Sequence, residues 1–135
     1  MFKELDKLVS FLKSRDEILF AYMFGSQSRG NTHSLSDLDI AIYVKKEILN
    51  SQEYLYGYIP SLLSDLPNQF QKKQIDIVIL NEAPVLLRHR AIHEGKLLFE
   101  KNKGLLTKFR VQTLLEYLDT KPLREKIRSQ LYGKK

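Results

Sequence analysis

The chain has 135 residues, enough for one hydrophobic core and too few for two. It contains no cysteine, which excludes disulfides, thiolate metal sites and a cysteine nucleophile. No apolar stretch approaches a membrane span, and Met1-Phe2-Lys3-Glu4-Leu5-Asp6 lacks the apolar core of a signal peptide, so a cytoplasmic protein with no membrane partner is expected. The net charge of +6 is uneven: residues 1–100 carry 12 Lys/Arg against 13 Asp/Glu, and residues 101–135 carry 10 against 3. A basic end of this kind is either a solvated helix face or a docking surface for an acidic partner or a polyanion.

Leu5, Leu8, Val9 and Leu12 recur at helical spacing and predict an amphipathic helix over residues 3–14. Residues 17–24 read as a strand that ends at Gly25-Ser26, with a short helical turn over 26–30 and a polar loop over 31–36. A second strand, 38–44, is apolar and β-branched. Leu55, Tyr58, Ile59, Leu62, Leu63 and Leu66 then form a helical stripe that Pro60 is expected to kink or break. Residues 74–80 are a third strand. A helix opens at Pro84 and ends at Gly95, and 96–99 is short enough for a fourth strand. Residues 105–118 are helical, Pro122 interrupts them, and Leu123, Ile127 and Leu131 continue the pattern. Leu105, Leu106, Phe109, Leu115 and Leu118 are expected in the core. His89 and His93 share a helix face; two histidines make a weak zinc site, and with Arg88, Arg90 and Glu94 beside them they read as a solvated polar face. Strands alternating with helices around one sheet give an α/β (α+β) domain, with 1–100 as its core and 101–135 as a basic helical extension.

The chemistry gathers around the second strand. Asp37 and Asp39, in Ser36-Asp37-Leu38-Asp39-Ile40, are two residues apart, and strand alternation projects both to one side. Two carboxylates there repel each other unless a cation intervenes, and Mg²⁺ prefers oxygen ligands, often one or two carboxylates together with substrate phosphates. Upstream, Gly25-Ser26-Gln27-Ser28-Arg29-Gly30 supplies the complement: glycine lets backbone N–H groups approach an anion, and the serine hydroxyl adds a donor. Arg29, the sole arginine between Arg15 and Arg88, can neutralise a phosphate oxygen or simply occupy a surface loop. Phosphate donors on one side and metal carboxylates on the other make the layout of a nucleoside-triphosphate site.

Gly25-Ser26, Arg29-Gly30, Asp37-x-Asp39 and Asp76 at the head of the third strand, in that order, resemble the minimal nucleotidyltransferases of the DNA polymerase β superfamily. The resemblance covers most of residues 18–100 and implies a single nucleotidyltransferase domain with a mixed sheet flanked by helices. It implies two Mg²⁺ ions on Asp37, Asp39 and Asp76, with Asp76 able to take the acceptor's proton, and nucleotide binding at Gly25, Ser26 and Arg29. It also implies transfer of AMP from ATP to a hydroxyl. No added acceptor-binding domain follows the last predicted strand, so a partner is expected to complete the site. The motif Gly-Ser-x-x-Arg-Gly followed by Ser-Asp-x-Asp is similar to that of the antitoxin branch, encoded with HEPN-type ribonuclease toxins that it silences by adenylylating a tyrosine. The alternatives are a small-molecule nucleotidyltransferase, for example antibiotic-modifying, completed by a helical subunit, or a non-catalytic binding antitoxin. A nucleic-acid-binding module is disfavoured, because aromatic and basic residues do not interleave.

Overall fold

The computed structural model describes residues 2–24, 37–50, 57–71 and 74–131, with the side chains of 2–4 and 37 excepted. The predicted turn at 26–30, the polar loop at 31–36 and Leu55 of the helical stripe lie outside the described residues. In chain order the elements are α1 (Phe2–Ser14), β1 (Ile18–Phe24), β2 (Asp37–Val44), α2 (Lys46–Leu49), α3 (Tyr58–Ser64), β3 (Gln74–Ile79), α4 (Val85–Glu94), β4 (Lys96–Glu100), α5 (Lys103–Asp119) and α6 (Lys121–Leu131). The strands form one mixed sheet in the order β3-β2-β1-β4, with β2 parallel to β3 and β1 antiparallel to both β2 and β4.

The sheet buries both faces, and strand parity sorts its side chains between them. Leu38, Ile40, Ile42 and Val44 of β2, with Ile75 and Ile77 of β3, pack with Leu8 and Leu12 of α1 and Leu62 of α3. Ala41 and Tyr43 of β2, with Phe20, Tyr22 and Phe24 of β1, face Ala91 of α4 and Leu106 and Phe109 of α5. On that second face Phe20 stacks on Tyr43 with centroids 4.8 Å apart, and Phe109 closes on both rings at 5.4 Å. A bulge at Leu19 moves β1 from one parity to the other: Ile18 pairs with Val44, Phe20 with Tyr43, and the two side chains enter opposite cores.

Pro60 does not break its helix. It falls in the first turn of α3, where a missing N–H leaves no hydrogen bond unmade, and α3 begins just before it at Gly57. Gly57 holds φ at +102°, a conformation open to glycine and strained for other residues. Gly95 does end α4, for a different reason than a left-handed cap. Its backbone is extended, and a Cβ there would run into the carbonyl oxygen of Ala91 and press on that of Met23. The core expectation for α5 is half met. Leu106 and Phe109 are buried, whereas Leu115 and Leu118 are 58% and 51% exposed, because the helix turns Leu106, Phe109 and Thr113 to the sheet and those two outward.

A polar latch joins α1, β1 and α3 at the start of β1. Glu17 accepts from Arg15 Nε at 2.9 Å and from the Tyr58 hydroxyl at 2.7 Å, and Arg15 Nη1 reaches Asp65 at 2.8 Å. Burial by itself pushes the Glu17 carboxyl up. The donors on Tyr58, its own backbone and Arg15 outweigh that and leave it below the ordinary glutamate value. A carboxyl depressed in the folded state adds stability above its unfolded pKa, about 4.3, and loses it as pH falls through the lower folded value. Glu17→Gln should therefore lower stability by about 1–2 kcal/mol at pH 7 and flatten the loss of stability below pH about 4.3. Urea denaturation from pH 7 to 3 measures both; parallel pH profiles for the two proteins would dismiss the latch.

Candidate active site

β1 delivers the chain to Gly25 at the same end of the sheet at which β2 begins. Phe24, the last residue of β1, pairs with Asp39, and Asp39 pairs in parallel register with Asp76 of β3. Residues in register across neighbouring strands share a face, and here that face also carries Ala41 and Val78 toward α4 and α5. Phe24, Asp39 and Asp76 thus stand side by side across three strands. The buried Phe24 ring walls one flank, Asp39 is half-buried, and Asp76 is exposed on the outer strand. Asp37 heads β2 two positions before Asp39, in register with Gln74.

A cavity of about 400 Å³ opens beside Asp76, lined by Leu63, Leu66, Phe70, Gln71, Gln74 and Ile75. A second cavity of about 400 Å³ lies at the far ends of β2 and β3, with Tyr43, Asn81, Arg88 and Phe109 among its walls. That end is where ligands sit in open parallel sheets. The carboxylate pair marks the other end instead, where the antiparallel β1 has its C-terminus.

Asp39 and Asp76 stand in register on neighbouring strands, which run about 5 Å apart, and oxygen donors of this kind suit a hard divalent cation. Among the described side chains no group of three or more His, Cys, Asp or Glu could hold a metal, and Asp37, the expected third member, is not among those described. Gly25, Ser26 and Arg29 lie outside the described residues. Of the six sequence-predicted site residues, the structure brings Asp39 and Asp76 together and sets the backbone of Asp37 beside them.

Two arrangements escaped the sequence reading. Asn81, in the turn after β3, clamps the end of β2: Val44 N–H donates to its Oδ1 and its Nδ2 donates to Val44 O, both at 2.9 Å. The clamp fixes the β2–β3 register that sets Asp39 opposite Asp76. The stretch Asn81-Glu82-Ala83-Pro84 resembles the same antitoxin branch, but a polar residue after an apolar strand reads as an ordinary turn, and no local signal gives Asn81 this clamping role. The histidine helix also departs from the solvated face expected of it. Arg88 is largely buried and donates to Ala83 O at 3.0 Å and to Glu116 at 2.7 Å. His89 stacks on Tyr117 at 3.6 Å and Arg124 covers Tyr117 at 3.9 Å, whereas Arg90, His93 and Glu94 stay exposed as expected. Burial, then the neighbouring His93 and Arg124, hold His89 below the ordinary imidazole pKa.

This mixed sheet, with a carboxylate pair at the end where β1 meets β2, is the architecture of a nucleotidyltransferase. Residues 6–104 match the family described as Polymerase beta, Nucleotidyltransferase. The chain belongs to that family and is an enzyme of the nucleotidyltransferase class. It is 30% identical to the protein adenylyltransferase MntA of Aphanizomenon flos-aquae (strain 2012/KM1/D3) over 105 residues, 75% of this chain and 69% of that one. Its fold is that of a chain from a toxin–antitoxin crystal structure with AMP-PNP (TM-score 0.72, 23% identity, covering 95% of this chain and 98% of that one). It also matches a chain from a complex of tri-AMPylated Shewanella oneidensis HEPN toxin with MNT antitoxin (TM-score 0.69, 20% identity, covering 97% and 99%).

Asn81→Ala removes both clamp bonds and should cost about 1–3 kcal/mol, read by urea denaturation. Asn81→Asp keeps an acceptor for Val44 N–H and should fall between that variant and the wild type. Unchanged stability in Asn81→Ala would show that the β2–β3 register needs no clamp.

Proposed function

We propose that the chain is a Mg²⁺-dependent protein adenylyltransferase of the cytoplasm. It moves AMP from ATP onto a tyrosine hydroxyl of a HEPN ribonuclease toxin, and so acts as that toxin's antitoxin. The observation that carries this reading is Asp39 in register with Asp76 at the end of the sheet from which Gly25-Ser26 departs. Family membership and the similarity to MntA support nucleotidyl transfer, and the related toxin–antitoxin folds support a protein acceptor.

In this reading Asp37, Asp39 and Asp76 are the residues that would hold two Mg²⁺ ions. Bound there, Mg²⁺ supplies positive charge to the phosphates and lowers the cost of the charge that develops on them. The chain's own groups do the rest. Backbone N–H groups at Gly25 and the Ser26 hydroxyl grip the triphosphate, and Arg29 pairs with a phosphate oxygen. Asp76, on the exposed outer strand, takes the proton of the acceptor hydroxyl. The acceptor oxygen then bonds to the α-phosphorus, the bond from that phosphorus to the bridging oxygen breaks, and pyrophosphate leaves. Phe24 keeps one side of the carboxylates dry, which strengthens charge interactions there.

Asp39→Asn and Asp76→Asn should each reduce transfer of labelled AMP to the HEPN protein by at least about a hundredfold. Both variants should remain folded and still co-elute with the HEPN protein in size-exclusion chromatography. Transfer within tenfold of wild type in either variant would remove that residue from the catalytic set. A wild type that binds the HEPN protein and labels nothing with ATP and Mg²⁺ would leave a binding-only antitoxin.

A further inference from the structure

α6 is amphipathic and buries nothing. Leu123, Ile127 and Leu131 recur every fourth residue on one side of it and are 60%, 45% and 70% exposed. On α5, Leu114, Leu115 and Leu118 likewise turn away from the sheet. Among the described residues the large exposed apolar side chains all stand on α4, α5 and α6. An amphipathic helix draws most of its stability from packing its apolar face, so a face of this size left to water is built to be covered. Basic side chains surround it: Lys108 and Arg110 on α5, and Lys121, Lys126 and Arg128 on α6, are exposed.

We infer that the outward leucine faces of α5 and α6 are the docking surface for the acceptor protein, an acidic protein surface carrying an apolar strip. The inference rests on the proposed function, which requires a protein acceptor, and names where that protein is held. Charge selects the occupant. The segment from residue 101 onward carries 10 Lys/Arg against 3 Asp/Glu, so a second copy would bring two strongly positive surfaces together, whereas an acidic partner is attracted to the same ring. Nucleic acid would use the basic ring and leave the leucines uncovered. A lipid surface fits less well, because the apolar side chains of these two helices include no Trp or Phe turned outward. Position agrees. α5 packs on the sheet face that Asp39 and Asp76 share, and α6 is joined to α5 through Arg124, which donates to Thr120 Oγ1 at 2.9 Å and stacks on Tyr117. A protein seated on these helices therefore stands on the same side of the sheet as the carboxylates.

The test uses the full chain and its HEPN protein. Leu123→Gln/Ile127→Gln and, separately, Leu115→Gln/Leu118→Gln change exposed positions, and circular dichroism and unchanged ATP affinity show that each variant is folded. Each pair should weaken HEPN binding, measured by calorimetry, at least tenfold and raise the KM for the HEPN protein more than it lowers kcat. Raising salt from 50 to 500 mM should slow association in the wild type. Binding within twofold of wild type in both double variants would overturn the assignment and leave the proposed function standing. A wild type that fails to bind the HEPN protein would overturn both. Wild type that is dimeric in sedimentation, with monomeric variants, would make the surface a self-interface; binding of wild type alone to 30% phosphatidylserine vesicles would make it a lipid surface. Either result overturns the assignment.

Discussion

The register between β2 and β3 is the constraint on which the rest depends. Set one residue off, Asp76 would turn to the α3 side, and Ile75 and Ile77 would leave the core they share with Leu38 and Ile40. Exposing two buried isoleucines costs about 1.5–3 kcal/mol each, so apolar parity alone forbids that slip. A slip of two residues is subtler, since it preserves parity and merely shifts which apolar residues meet. Parity hardly opposes it, and it would separate Asp39 from Asp76 all the same. The Asn81 clamp on Val44 opposes it, because the amide meets one particular residue's N–H and carbonyl. The hydrophobic pattern sets the coarse alignment, and two hydrogen bonds resolve the remaining ambiguity.

The two faces of the sheet are covered in different ways. The face toward α1 and α3 is mainly aliphatic, with Tyr58, Phe70 and Phe99 among its buried side chains and its polar contacts gathered in the Glu17 latch. The face toward α4 and α5 is aromatic and bridged by polar contacts: Arg110 donates to the buried Tyr22 hydroxyl at 2.8 Å, Arg88 reaches Glu116, and His89 lies on Tyr117. Such bridges need particular partners in particular places, so they fix how α5 lies on the sheet more tightly than aliphatic packing would. The carboxylates stand on this bridged face. Its helices have a buried inner side that orders the sheet and an apolar outer side left to solvent.

Strands and long helices were legible because their signals are local. β2 opens on Asp37, β3 carries Asp76 as its third residue, both run through β-branched residues, and the helices before β1 and after Pro84 keep their period. What local signals could not convey was which residues meet. β1 is apolar throughout, from Ile18 to Phe24, so no alternation betrays the bulge at Leu19 that sends Ile18 and Phe20 to opposite cores. Pro60 is disruptive only in a helix that includes Leu55; with Gly57 as the cap of α3, the proline sits in the first turn, where helices accept it. For the candidate site, the sequence put Asp39 and Asp76 at strand openings, and their adjacency came from resemblance to a family. Only the parallel pairing of β2 with β3 makes them neighbours in this chain.

The misplacement of Leu115 and Leu118 has a physical cause that reaches beyond this helix. α5 is apolar on both sides: Leu106 and Phe109 face the sheet, while Leu114, Leu115 and Leu118 face outward. A sequence apolar all round ordinarily means a helix buried all round. Burial by the chain's own core and burial by another molecule leave the same mark on a sequence, because both remove the same side chains from water. The charges separate the two cases. A helix sunk within its own domain has little room for Lys108, Arg110, Lys121, Lys126 and Arg128, all of which are exposed here. Apolar residues on every side together with exposed lysines and arginines therefore describe a helix covered by its own sheet on one side and still open to water on the other. In a domain whose candidate carboxylates stand at one end of the sheet, on the face that α5 covers, that open side is where a second wall has room to form.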